Sequence, residues 1–179
     1  HQSGRRQRQM CIRDSPTPAT SADALVERFA GLAAPEAAGS IIEIILPPGA
    51  YQVPTLVLNA SAVASGVRLV ADPPGAATLN ATGTLLRTSP AAPSLLLRGL
   101  RLQGPMVVNG SIVALEDCQF EDSRADEGGA LSVVGGGSVE ATGCNFTRNN
   151  ATRGGAVLVD GGAADFAECR FENNSADDE

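Results

Sequence analysis

Beyond residue 40 the apolar residues fall in short runs: IIEIIL (41–46), YQVPTLVL (51–58), GVRLV (66–70), ATLNA (77–81), TLLR (84–87), SLLLRGLRL (94–102) and SIVALEDCQF (111–120). Gly, Pro, Asn and Ser separate them. Short apolar runs broken by turn residues predict short strands, and none of these keeps a helical period. One earlier stretch does. In SADALVERFAGLAAPEAAG (21–39), Leu25, Val26, Phe29 and Leu32 share one helical face. Ser21 stands where an N-cap belongs and Asp23 lies in the first turn. Pro35 and Gly39 are the expected stop. One helix followed by many short strands predicts an all-β solenoid, sandwich or barrel.

A repeated phrase decides among these. CQFEDSRADEGGA (118–130) returns as CNFTRNNATRGGA (144–156), and CRFENNSADDE (169–179) opens a third copy. The pairs Cys118/Phe120, Cys144/Phe146 and Cys169/Phe171 stand 26 and 25 residues apart, with Leu100/Leu102 as a degenerate copy 18 residues earlier. Residues two apart on a strand share a face. The residues between them, Gln119, Asn145 and Arg170, are polar, so the Cys/Phe face points inward. Leu131 and Val133, matched by Val157 and Val159, predict a second inward face. Val139 and Ala141, matched by Ala164 and Phe166, predict a third. Three short strands per ~25 residues make one coil of a parallel β-helix, its coils about 4.8 Å apart and like side chains stacked inside. A single coil buries too little to stand alone, so each must match its neighbours.

The corners fit the same plan. The pairs Gly128–Gly129 and Gly154–Gly155 supply unusual backbone angles where a side chain would obstruct. Asn149, Asn150, Asn173 and Asn174 mark another corner, where asparagine tolerates the left-handed region and bonds its own backbone. Ala125, Ala151 and Ala176, each seven residues after a repeat cysteine, are read as the small inward residues of that corner.

The phrase C-x-F-x-x-N-x-A-x-x-G-G-A resembles the repeat of the polymorphic outer membrane protein family, marked by FxxN and GGA-type tetrapeptides. FTRN (146–149) and FENN (171–174) match the first motif, and GGAL (128–131) and GGAV (154–157) the second. FEDS (120–123) departs, with Ser for Asn. Upstream, IIEIILPPGAYQV (41–53), SGVRLVAD (65–72) and SLLLRGLRLQG (94–104) are similar to the entrance of pectin-lyase-like right-handed β-helices. The resemblance spans residues 21–179. It implies a right-handed parallel β-helix with an N-terminal capping helix. It implies no particular activity, because this fold hosts lyases, hydrolases, adhesins and inert stalks. Three segments follow: a non-native or disordered tail (1–18), a capping helix and linker (19–40), and β-helix coils (41–179) with clear repeats over 118–179. The sequence stops where the repeat next calls for GGA, and it reads as a piece of a longer protein.

Charge narrows the function classes. Thirteen basic residues, all arginine, face twenty acids, for a net charge of −7. Four of the arginines fall in HQSGRRQRQMCIRDS (1–15), a segment unlike the rest that also holds the lone His1 and Cys11. An acidic chain without a basic stripe argues against nucleic acid as a partner. No apolar run reaches the length of a membrane span.

Candidate chemistry is sparse. Cys118, Cys144 and Cys169 lack zinc spacing and read as a ladder of buried thiols. A bridge between adjacent rungs is the alternative. Six sequons stand at Asn59, Asn80, Asn109, Asn145, Asn150 and Asn173. Chance pairing of eight asparagines with 23 Ser and Thr gives about one. The excess points to a glycosylated chain in a secretory pathway, or to turn composition. Asp126 and Asp177 fall in one vertical row that Thr152 interrupts, a solvated acidic corner or a weak calcium site. No catalytic, metal or cofactor residues are assigned, and no cofactor is expected. The function expected is a non-catalytic, secreted or cell-surface β-helix, adhesive or structural. Its expected partners are an extracellular polysaccharide or another surface protein. The alternative is the N-terminal part of a pectate-lyase- or polygalacturonase-like enzyme whose site lies in further coils.

Overall fold

A computed structural model describes residues 17–33, 39–62 and 64–177. Over these residues the chain is an all-β parallel solenoid of about five turns, with one short helix near the N-terminal side. Each sheet runs along the solenoid axis, its strands pairing in parallel from one coil to the next. Sheet I contains Thr17–Pro18, Ile41–Leu46, Gly66–Ala71, Ser94–Arg98, Ile112–Glu116, Ser138–Thr142 and Ala163–Ala167. Sheet II contains Gly49–Gln52, Ala77–Asn80, Arg101–Gln103, Gln119–Glu121, Asn145–Thr147 and Arg170–Glu172. Sheet III contains Leu56–Leu58, Leu86–Thr88, Met106–Asn109, Leu131–Val134 and Val157–Asp160. Sheet IV is shorter: Arg124–Glu127, Asn150–Arg153 and Ser175–Ala176. Thr17 and Pro18, placed in the tail by composition, pair with Ile44 and Ile45. The rest of that tail, and Pro35, lie outside the described residues.

The registers stack like on like. Phe120 pairs with Phe146 and Phe146 with Phe171. Their rings are parallel, with centroids 4.7 Å apart at both steps, the spacing of hydrogen-bonded strands. The column continues upstream through Leu102 and Leu79 to Tyr51. Tyr51 is buried and donates its hydroxyl to the Pro47 carbonyl at 2.8 Å, so the one phenol in the core is satisfied. In sheet I, Leu69, Leu97, Leu115, Ala141 and Phe166 form one inward column. In sheet III, Leu56, Leu86, Met106, Leu131 and Val157 form another. All three inward faces expected from the repeat are present.

Helix α1 (Ala22–Gly31) closes the N-terminal end. Ser21 caps it by accepting from the Ala24 N–H at 3.1 Å. Leu25, Phe29 and Leu32 are buried, Val26 packs beside them, and the helix lies against Leu56–Leu58. The first rung of the solenoid would otherwise expose its apolar interior to water.

Two corners are columns of left-handed residues. Gly99, Asp117, Gly143 and Glu168, one per coil between sheets I and II, have φ of 65, 52, 66 and 55°. Asp122, Arg148 and Asn173, after sheet II, have φ of 52, 54 and 52°. In the GGA corners the two glycines do different jobs. Gly128 and Gly154 have φ of 61 and 64°. Gly129 and Gly155 do not, yet a Cβ on Gly129 would overlap the carbonyls of Gly155 and Asn150 on the next rung. The first glycine of each pair supplies the angle, and the second lets two coils approach.

Coil length changes midway. After Gln103 the chain reaches sheet III through residues 104 and 105 alone. After Glu121 and Thr147 it detours through sheet IV before reaching Leu131 and Val157. That detour supplies most of the lengthening from the 18-residue spacing to 26. It also raises a ledge on one side of the later coils, with a step at its foot.

Candidate functional site

A polar trough occupies that step. One concavity of ≈530 Å3 is lined by Gly83, Thr84, Pro105, Arg124, Ala125, Asp126, Asn150, Thr152 and Asp177. A second, of ≈310 Å3, shares Gly83, Pro105 and Arg124 with it and extends past Gln103 to Asn80. Strand alternation sets the side chains of its wall. Ala125 and Ala151 point into the coil, so Arg124, Asp126, Asn150 and Thr152 project outward. Asp126, Thr152 and Asp177 stand on three successive rungs, as the register of the neighbouring alanines requires. Asp177 accepts from Asn150 Nδ2 at 3.2 Å, and the same amide donates to Ser175 Oγ at 2.8 Å. Among the described residues no group of three or more His, Cys, Asp or Glu is placed to hold a metal ion. Chemically the trough offers amides, hydroxyls and carboxylates along the axis, with Arg124 its single basic lining residue.

Vertical ion pairs flank it. Arg148 grips Asp122 on the rung below with two bonds, 2.7 and 2.9 Å. The guanidinium holds the Asp122 carboxyl below its ordinary range, chiefly through those hydrogen bonds. Arg153 pairs likewise with Glu127 one rung down.

The sequons differ in what their amides do. Asn145 is exposed, on the outward face of its strand between buried Cys144 and Phe146. Asn59 and Asn173 are exposed, but Asn59 Oδ1 accepts from Ser61 N–H at 2.9 Å. Asn80 and Asn109 are half-buried, and Asn150 is engaged with Ser175 and Asp177.

The cysteines form the expected inward stack and are free thiols. Cys118 and Cys144 are fully buried and Cys169 half-buried. Each donates to the carbonyl two residues before it: Glu116, Thr142 and Ala167, at 3.3–3.5 Å. The contact with the Cys144 thiol, and then burial, holds the Cys118 thiol well above its ordinary pKa. Burial pushes Cys169 up. The same Cys118–Cys144 contact holds the Cys144 thiol below its ordinary value, while Cys118 and Cys169, raised as they are, serve as packing groups.

Asn149 and Asn174 have a role the sequence did not disclose. They are not left-handed corner residues; that position belongs to Arg148 and Asn173. Asn149 is wholly buried. Its Oδ1 accepts from Ser123 N–H at 3.1 Å, and its Nδ2 donates to the Phe120 carbonyl at 3.0 Å. Asn174 repeats this one rung on, accepting from Asn149 N–H at 2.9 Å and donating to the Phe146 carbonyl at 2.8 Å. The last residue of FxxN is thus an internal amide ladder. Ser123, the departure at FEDS, continues it by accepting from Gly104 N–H at 3.0 Å.

Comparison with protein-family models, curated proteins and solved structures finds no match. Among the described residues no helix is long and apolar enough to cross a membrane.

Proposed function

We propose that this chain is a non-catalytic β-helix of the cell surface or extracellular space, whose trough adheres to an extended extracellular polysaccharide. The winding is taken to be right-handed and pectin-lyase-like, with coils of the polymorphic outer membrane protein kind, on the strength of the FxxN and GGA motifs. One observation carries the reading. Outward polar side chains repeat at one strand spacing along a trough that spans several coils, which matches a ligand that is itself long and repetitive. Its acidic residues, against one arginine, favour a neutral, hydroxyl-rich chain over a polyanion. The exposed Asn145 sequon supports the secreted setting, because a glycan there would project from the solenoid without disturbing the core.

A glycan array probed with the purified chain tests this. Binding to neutral polysaccharides is expected, reduced tenfold or more by the double variant Arg124→Ala, Gln103→Ala with Tm unchanged. Absence of glycan binding, or binding indifferent to these residues, contradicts the adhesive role. Mass spectrometry of the protein from its native source is expected to find a glycan on Asn145.

A further inference from the structure

Sheet I turns a patterned face to solvent. Its first outward column runs Ile41, Gly66, Ser94, Ile112, Ser138 and Ala163, one residue per rung. Large and small residues recur there with a period of three rungs. Ile41 and Ile112 are 57 and 65% exposed and stand about 14 Å apart along the axis. Between them Gly66 and Ser94 leave a hollow of ≈330 Å3. Beyond Ile112 lie the small Ser138 and Ala163. Ile112 sits in the middle of the solenoid with paired strands on both sides, so neither end of the chain accounts for its exposure.

Charge and sequon placement mark the same face. The next outward column reads Glu43, Arg68, Leu96, Ala114, Glu140 and Asp165. In the third, Arg98 pairs with Glu116 one rung on, at 3.6 Å. Half-buried Leu96 and Ala114 thus form an apolar centre between charges of both signs. None of the six sequons falls on sheet I. Asn80 and Asn145 stand on sheet II, Asn109 on sheet III and Asn150 on sheet IV, with Asn59 and Asn173 in the turns after sheets III and II. Glycans at those positions would leave sheet I clear.

We propose that this face binds a second copy of the chain as an isologous dimer. The twofold axis lies parallel to the strands and crosses the first column just past Ser94, toward Ile112. Ile112 of each copy then enters the hollow over Gly66 and Ser94 of the other. Ile41 falls between the partner's Ser138 and the partner's Ala163. In the next column Leu96 meets the partner's Leu96 across the axis, and Arg68 faces the partner's Glu140. In the third, the two Arg98 side chains meet between two Glu116 carboxylates. Glu43 meets the partner's Asp165 and the partner's Glu140 at the rim, where Arg68 lies beside them and water screens the repulsion. Shifting the copies by one rung sets isoleucine against isoleucine. Six rungs at about 4.8 Å and five residues at about 3.3 Å bury on the order of 1,000 Å2 over both copies, the lower end of specific interfaces. No residue of sheet I lines the trough, so the inference is independent of the polysaccharide reading.

Sedimentation equilibrium of the full chain tests this. A reversible dimer is expected, with a dissociation constant on the order of micromolar. Ile112→Asp, at an exposed site, is expected to weaken dimerisation about a hundredfold or more with the circular dichroism unchanged. Arg68→Glu alone and Glu140→Arg alone are each expected to be monomeric where the wild type is dimeric, because each sets like charges at both Arg68–Glu140 contacts. Mixed one to one, these two variants are expected to dimerise again, because the mixed pair restores opposite charges at both contacts. A wild type that stays monomeric at about 1 mM, a dimer indifferent to Ile112→Asp, or two charge variants that do not recover on mixing, overturns the proposal.

Discussion

Removing the wholly buried Asn149 side chain would take from the Ser123 N–H its acceptor and from the Phe120 carbonyl its amide donor. Each stranded group costs about 1–3 kcal/mol. Asn149→Ala is therefore expected to lose roughly 2–5 kcal/mol in urea denaturation. Asn174→Ala, half-buried on the last described rung, is expected to lose visibly less. Equal losses would mean that the ladder is not the buried element described. This residue also marks a limit of the sequence. FxxN was legible as a repeat, and its phenylalanine as inward, because two-residue alternation fixes a face. The asparagine lies three positions on, past the end of the strand, where alternation says nothing. A corner asparagine can adopt a left-handed angle or reach into the core, and spacing alone does not choose. Here Arg148, with no reputation for left-handed backbone, takes the angle, and Asn149 takes the core. The double glycine was legible as a corner, but not the division of labour between Gly128 and Gly129, which depends on the rung above.

At the scale of elements, the capping helix and the three inward faces were readable, because α1 and the strands each carry their own hydrophobic period. Sheet IV was not. Its strands bury little beyond Ala125 and Ala151, and the short crossing at 104–105 removes it from the preceding coil without altering any apolar run. The trough follows from that change in coil length and was therefore invisible too. Outward columns contribute through charge. The Asp122 carboxyl is held below its unfolded pKa by Arg148, so the pair stabilises the fold above the ordinary carboxylate range and ceases to do so as pH falls through the lowered value. The sign follows: the Tm difference between wild type and Arg148→Gln should be present at pH 7 and vanish on acidification. Both partners are largely exposed, so the difference is expected to be small and to shrink with salt. A difference that grows as pH falls would contradict the assignment.

For the whole molecule, the physical idea is that stacking substitutes for a compact core. No coil could persist alone, and each column (Phe on Phe, Cys on Cys, Asn on Asn) aligns one coil with the next. This is why the fold was legible and the function only a proposal: the positions repeated in identity point inward and build the solenoid, while the contacts proposed for the polysaccharide are outward polar side chains, Gln103 and Arg124 among them, whose identity changes from rung to rung. The chain has only five phenylalanines, so ring-labelled phenylalanine NMR tests the stacking most directly. Nuclear Overhauser contacts are predicted between the rings of Phe120 and Phe146, and between those of Phe146 and Phe171. None is predicted between Phe120 and Phe171, which stand two rungs, about 9 Å, apart. A direct Phe120–Phe171 contact, or no contact among the three, would contradict the solenoid.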